Sequence, residues 1–352
     1  MSTSSTIRIG VVGAGANTRD RHIPGFRAIE GVEVVAVANR SRASGERVAQ
    51  QLDIPRVFDT WQELIEDDGI DAVMIGTWPY LHCPVTLAAL AAGKHVLTEA
   101  RLAMNLAEAE AMLAASRAHP QLVTQVVPAP FTFAADRAIQ RRIADGFLGE
   151  LLSVDIRAAD MRPGGTFVNR NGPLTWRQNR ELSGLNVMSM GIWYECALRW
   201  TPGVNSVMAR TRTFTPLRRD GESGEVRAAT VPDHVAVIGD MPGGGVFQMQ
   251  VTGVSGLVGA PELSLYGTEG TLRFQQAGAK LWGGRRGDTQ LSEIEIAEGE
   301  RYAWRVEEEF ISAIRGEEQI TRTSFADGVR YMAFTDAVAR SAAEGRSIPV
   351  LV

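Results

Sequence analysis

A chain of 352 residues, 45% hydrophobic and 22% charged, has the make-up of a folded globular protein too long for one ordinary core, so two domains are expected. A net charge of −5 with no basic block argues against nucleic-acid binding and against an electrostatic membrane patch. Two cysteines, Cys83 and Cys196, exclude a disulfide framework and a zinc-type spacing; reduced thiols fit a cytoplasmic protein, and no metal-ligand cluster stands out.

The lead Met1-Ser2-Thr3-Ser4-Ser5-Thr6 is polar and lacks the basic and apolar parts of a secretion signal. No apolar run reaches the ~18 residues of a membrane span. The first strand, Ile7-Arg8-Ile9-Gly10-Val11-Val12, ends in Gly13-Ala14-Gly15-Ala16-Asn17. Gly13 suits a tight turn and Gly15 lets the backbone approach a pyrophosphate. Ala16 and Asn17 lead into the helix whose amino end would face it. The third glycine of the G-x-G-x-x-G pattern falls on Thr18, so the motif alone is weak.

A helix is expected over 21–30, with an irregular start at Pro24. Strand 32–38, helix 43–52, strand 57–58 and a helix opened by Thr60 and Glu63 in a capping-box pattern follow. Next come strand 71–76, helix 84–92 closed by Gly93, strand 95–98, helix 106–117 and strand 122–126. This alternation predicts a doubly wound parallel sheet of Rossmann type over 1–127, with its ligand beyond the carboxyl ends of the strands.

The end of the second strand bears on the cofactor. A carboxylate there would hold the ribose 2′-hydroxyl of NAD, whereas an arginine suits the 2′-phosphate of NADP. This chain has Asn39-Arg40-Ser41, which favours NADP, with NAD as the alternative. In the loop after the fourth strand, Thr77, Trp78 and His82 are further candidates, Trp78 and His82 towards the nicotinamide end.

Taken in order, Gly13-Ala14-Gly15, Arg21-His22-Ile23-Pro24-Gly25-Phe26, Thr77-Trp78-Pro79-Tyr80-Leu81-His82 and Ala92-Gly93-Lys94-His95-Val96-Leu97-Thr98-Glu99 resemble the Gfo/Idh/MocA oxidoreductases. The similarity continues through 143–150, 263–272 and 341–346. It implies an α/β amino-terminal domain and, over 128–352, an α+β domain with a large open, mainly antiparallel sheet. The last helices could pack back on the first domain. In the family that sheet commonly mediates homodimers or homotetramers.

The family's chemistry is altered here. Where its members carry Glu-Lys-Pro, with the lysine bonded to the reacting hydroxyl, this chain reads Glu99-Ala100-Arg101. Glu99 remains a cofactor-edge candidate. Arg101 is a poor base but could clamp an anionic or polyhydroxy substrate. The second signature, Asp-x-Gly-x-His-x-x-Asp, aligns on Gly191 as Ser189, Trp193 and Cys196 in place of its aspartate, histidine and aspartate. Tyr194 and Glu195 are the chemically capable neighbours and stand with Arg101 as catalytic candidates. Asn186 and Trp193 are substrate-binding candidates, Trp193 by stacking on a sugar face.

After helix 134–145 and strand 151–158, the segment 159–184 lacks periodicity and carries Arg162, Arg170, Arg177 and Arg180 with Trp176. Trp176 and Arg177 would suit an oxygen-rich ring. A hairpin tip at 220–225, strands 235–238, 245–251 and 263–266, and helices 303–315 and 326–343 complete the chain.

The resemblance implies an NAD(P)-dependent oxidoreductase acting on a small carbohydrate-like molecule, a sugar, cyclitol or sugar derivative. Hydride would move at a ring carbon, with a non-standard acid/base set. Net dehydrogenation and a redox-neutral cycle with retained cofactor, as in glycoside elimination or epimerisation, stay equally open. The alternative is a non-catalytic dinucleotide- or sugar-sensing protein on the same fold.

Overall fold

The computed structural model describes residues 6–159, 168–221 and 223–351. They form two units: residues 1–128 with 305–329, and residues 129–304 with 330–352. The first division along the chain falls between Pro128 and Ala129. The segment 305–329 groups with the first unit because its contacts lie there.

In the first unit the apolar runs become strands: β1 (Ile7–Val12), β2 (Val32–Ala38), β3 (Arg56–Phe58), β4 (Ala72–Ile75), β5 (His95–Thr98) and β6 (Thr124–Val126). All pair in parallel, in the order β3-β2-β1-β4-β5-β6. Each residue of β4 is buried, the pattern of a parallel strand covered on both faces. The helices are α1 (Ile23–Arg27), α2 (Arg42–Gln51), α3 (Trp61–Glu66), α4 (His82–Ala91) and α5 (Leu106–Ala118). Thr60 caps α3 through the amide of Glu63, as its sequence pattern predicts.

The helix after the glycine turn departs from expectation. It begins earlier, with a wide π-helical turn at Thr18–His22 that runs into α1. Pro24 sits at the start of α1, where its missing N–H costs nothing. A helix from far along the chain, Val306–Ile314, completes the unit: Phe310 meets Phe26 edge-on with ring centroids 6.3 Å apart.

The second unit contains α6 (Asp136–Ala144), β7 (Leu151–Ala159), α7 (Arg180–Ser183), α8 (Met190–Leu198), β8 (Ser206–Arg212) and the small hairpin β9 (Leu217–Arg219) and β10 (Val226–Ala228). It continues with β11 (His234–Asp240), β12 (Val246–Thr252), β13 (Glu262–Gly267), β14 (Gly270–Gln275), β15 (Lys280–Arg285), β16 (Ser292–Ile294) and β17 (Ile348–Pro349). Val306–Ile314 and Phe325–Glu344 are α9 and α10. Nine strands form one sheet in the order β16-β15-β14-β13-β7-β12-β11-β8-β17, antiparallel except for β7 beside β12. Burial alternates along β12 and β14, so one face is covered. Phe247 of that face packs edge-on to Tyr194 of α8 and Phe334 of α10.

Candidate functional site

The first unit brings the glycine turn and the ends of β2, β4 and β5 to one edge of its sheet. Gly13 has φ +83°, and a Cβ there would lie 2.5 Å from the Thr77 side chain, so only glycine lets the turn close on the end of β4. Gly15, Ala16 and Asn17 are exposed. A Cβ on Gly15 would meet only the Gly76 carbonyl, at 3.4 Å. This glycine turn at a helix start, open to solvent, fits a pyrophosphate.

Asn39 does a different task from the one expected. Its Oδ1 accepts the Ala14 amide at 2.8 Å, while its Nδ2 reaches the carbonyl and hydroxyl of Ser44 at 3.2 Å. Ser41 caps α2. Arg40 is exposed beyond the strand end. The three residues follow the carboxyl end of β2, with the Asn39 amide bonded to the protein itself.

Trp78 is half-buried beside Tyr80, with ring centroids 6.4 Å apart. His82 requires a correction. It is fully buried, with Nδ1 at 2.9 Å from the Arg101 carbonyl and Nε2 at 3.0 Å from the Thr77 carbonyl. It therefore ties the loop after β4 to the loop after β5 and does not reach a nicotinamide ribose. Burial depresses its pKa, against the pull of those two carbonyls. Arg101 is itself only 3% exposed.

A cluster unforeseen in the sequence lies behind the glycine turn. His22, with no exposed surface, places Nε2 at 3.1 Å from Glu99 Oε1 and bonds Glu307 of α9 through Nδ1. Asn17 Nδ2 donates to Glu99 and lies 3.1 Å from His22 Nε2. Burial alone would lower the His22 pKa, but the hydrogen bonds and charges of Glu307 and Glu99 outweigh it and raise it to about 9. His22 is thus an imidazolium at neutral pH. Glu99, although burial opposes it, is held below the usual carboxylate range by His22 and Asn17. The sequence carried His22 within a family motif, but Glu307 stands 285 residues away and no local pattern links the two.

The candidates on α8 are corrected by their packing. Tyr194 is 2% exposed and stacks on Phe334 at 3.8 Å, and its hydroxyl accepts the Val204 amide at 3.1 Å. Burial pushes its pKa up to about 12, the wrong direction for a base. Glu195 Oε1 accepts the Ala129 amide at 3.0 Å and pairs with Arg199 at 2.8 Å, which also holds Asp136. Both residues tie the second unit together. Trp193 is 1% exposed against Phe131, with no face for a sugar. Asn186 is buried and donates to the Ser183 carbonyl at 2.7 Å, so it is a loop brace.

Trp176 and Arg177 are on the second unit's surface, the guanidinium 4.2 Å from the indole centroid. Arg162 lies outside the described residues. Among the described residues no group of His, Cys, Asp and Glu could hold a metal ion.

A parallel sheet in this strand order, with an exposed glycine turn at the carboxyl end of β1, defines a dinucleotide-binding protein of Rossmann type. Residues 7–126 match the oxidoreductase family with an NAD-binding Rossmann fold, and residues 137–273 match the Gfo/Idh/MocA carboxyl-terminal domain. The chain belongs to the Gfo/Idh/MocA family of NAD(P)-dependent oxidoreductases.

Among its relatives, trans-1,2-dihydrobenzene-1,2-diol dehydrogenase of Mus musculus is 29% identical over 280 residues, 78% of this chain and 75% of that protein. The 1,5-anhydro-D-fructose reductase of Ensifer adhaerens is 36% identical over 149 residues, only 42% of this chain and 44% of that protein. Levoglucosan dehydrogenase, solved with NADH and L-sorbose, has TM-score 0.83 and 21% identity over 98% of this chain and 99% of that one. Identity that low shows the shared fold. No described helix is long and apolar enough to cross a membrane.

Proposed function

We propose that the protein transfers hydride at a ring carbon of a sugar, cyclitol or sugar derivative, with NADP preferred to NAD. The observation that carries this reading is the exposed rim Gly15-Ala16-Asn17, bonded through Asn17 to Glu99 at the end of β5. Relatives named for a cyclic diol and for anhydro sugars support a ring hydroxyl as the reacting group. Bound NAD(P) supplies a hydride acceptor or donor.

The chain's own residues supply the rest. Gly13, Gly15, Ala16 and Asn17 cradle the pyrophosphate, and Arg40 with Ser41 faces the 2′-phosphate, where no carboxylate repels it. Trp78 flanks the nicotinamide. Ala100 cannot exchange a proton, and Tyr194 and Glu195 are committed to packing. Glu99, held below the usual carboxylate range by His22 and Asn17, stays a carboxylate at the cofactor edge, and Arg101 braces its loop. Trp176 and Arg177 contribute a sugar-binding surface on the second unit.

In this reading copies pair as homodimers or homotetramers through the open face of the nine-stranded sheet, where Met208 and Ile238 are exposed in register, and the protein works in the cytoplasm. The joint substitution of Ala100, Ser189, Trp193 and Cys196 also favours a redox-neutral cycle with a retained dinucleotide as a second reading.

The test is to denature the purified protein, identify any released dinucleotide by mass, and then assay levoglucosan, trans-1,2-dihydrobenzene-1,2-diol and myo-inositol with NADP⁺ and NAD⁺. Reduced nicotinamide formed faster with NADP⁺ supports net dehydrogenation. Stoichiometric released dinucleotide without net reduction supports the redox-neutral cycle. No dinucleotide, no binding and no turnover would overturn both.

A further inference from the structure

Behind the rim, the cluster around His22 joins two parts of the first unit that lie far apart in sequence. Asn17 and Glu99 stand at the edge that faces solvent, whereas His22 and Glu307 are buried. Glu307 comes from the segment 305–329, which returns to this unit after eight of the nine strands of the large sheet have been made, β17 following it. Its approach depends on Gly25: a Cβ there would lie 2.8 Å from Glu307 Cδ. Elsewhere the same segment is held by ordinary contacts, such as Val126 N to the Thr323 carbonyl at 3.0 Å.

We propose that His22 and Glu307 are positioning residues through which dinucleotide binding and the docking of segment 305–329 on the first unit strengthen each other. The inference rests on the reading of the glycine turn as the dinucleotide site. Its physical basis is a shared imidazolium. The ring faces Glu99 through Nε2 and Glu307 through Nδ1, so whatever fixes Asn17 and Glu99 also fixes the ring against α9. Conversely, a docked Glu307 holds the ring, and with it Glu99 and Asn17, in the arrangement that receives the ligand. Coupling of this kind is reciprocal by thermodynamic necessity. Neither residue touches the dinucleotide in this account; both act through Asn17 and Glu99.

The experiment uses the full-length protein, with NADPH and NADH as the probes. Binding is followed by nicotinamide fluorescence and the segment by amide hydrogen exchange. In the natural protein, saturating ligand should slow exchange across 306–314 by about fivefold or more. Glu307→Gln, and independently Gly25→Ala, should weaken the tighter ligand by about five- to tenfold and abolish the slowing.

Glu309→Gln separates this coupling from simple loosening. Glu309, in the same segment, accepts hydrogen bonds from Gln125 of β6 and from Thr321 and has none with His22, so the ligand-induced slowing should survive there. Binding within twofold of wild type for Glu307→Gln, or equal loss of slowing in Glu309→Gln, would overturn the coupling while leaving the dinucleotide site intact. Failure of the natural protein to bind either probe would overturn the site itself, and the coupling with it.

Discussion

Ala14 donates its backbone N–H to Asn39 Oδ1 at 2.8 Å, so the glycine turn is tied to the end of β2 by the residue that follows that strand. This bond sets which changes at Asn39 are informative. Asn39→Asp keeps the acceptor for Ala14, loses the donor to Ser44 and places a carboxylate beside the 2′ position. We expect NADPH to bind at least tenfold more weakly, with NADH unchanged or tighter; competitive titration with both ligands checks this. Charged hydrogen bonds are worth about 1.5–3 kcal/mol, which corresponds to such a factor or more. Arg40→Ala should weaken NADPH selectively as well.

Gly13→Ala should abolish dinucleotide binding at concentrations that saturate the natural protein. The added Cβ would sit 2.5 Å from the Thr77 side chain in a backbone already at φ +83°. A left-handed alanine costs about 1–2 kcal/mol before the clash is relieved. Fluorescence titration and a circular-dichroism melt together distinguish lost binding from lost folding.

His22 predicts a pH dependence of stability. Its folded pKa is about 9 against an ordinary 6.5, raised by Glu99 and Glu307, with the neutral amide of Asn17 beside them. A raised folded pKa means that the stabilisation is fully present below about 6.5 and is lost as pH rises through about 9. The shift corresponds to an amount of order 3 kcal/mol. Thermal melts from neutral to alkaline pH should fall steeply for the natural protein, and His22→Asn should remove most of that slope.

Tyr194→Phe should leave turnover within about threefold while costing about 1–2 kcal/mol of stability, because the Val204 amide loses its buried acceptor. Denaturant unfolding measures the cost. A hundredfold loss of kcat with unchanged stability would return Tyr194 to the chemistry.

The fold was legible because its signals are local. Unbroken apolar runs such as β4, the glycine turn after β1 and the Thr60 cap each report short-range physics that the chain carries wherever it lies. The altered acid/base set was legible too, since Ala100 cannot exchange a proton in any fold. What Tyr194, Glu195 and Trp193 do was not. A tyrosine or glutamate on a helix reads the same whether it faces a cleft or a core, and Phe334 and Arg199 decided that here by packing. His82 likewise became a tie between two loops only once Thr77 and Arg101 presented their carbonyls to it.

By itself, then, the sequence determined the parallel sheet, the glycine turn and the loss of the family lysine, all consequences of residue type and near-neighbour spacing. Only the tertiary structure decided that His22 is charged and that Glu307 belongs to the same cluster. A buried imidazolium owes its proton to carboxylates brought near by folding, and separation along the chain carries no trace of that nearness.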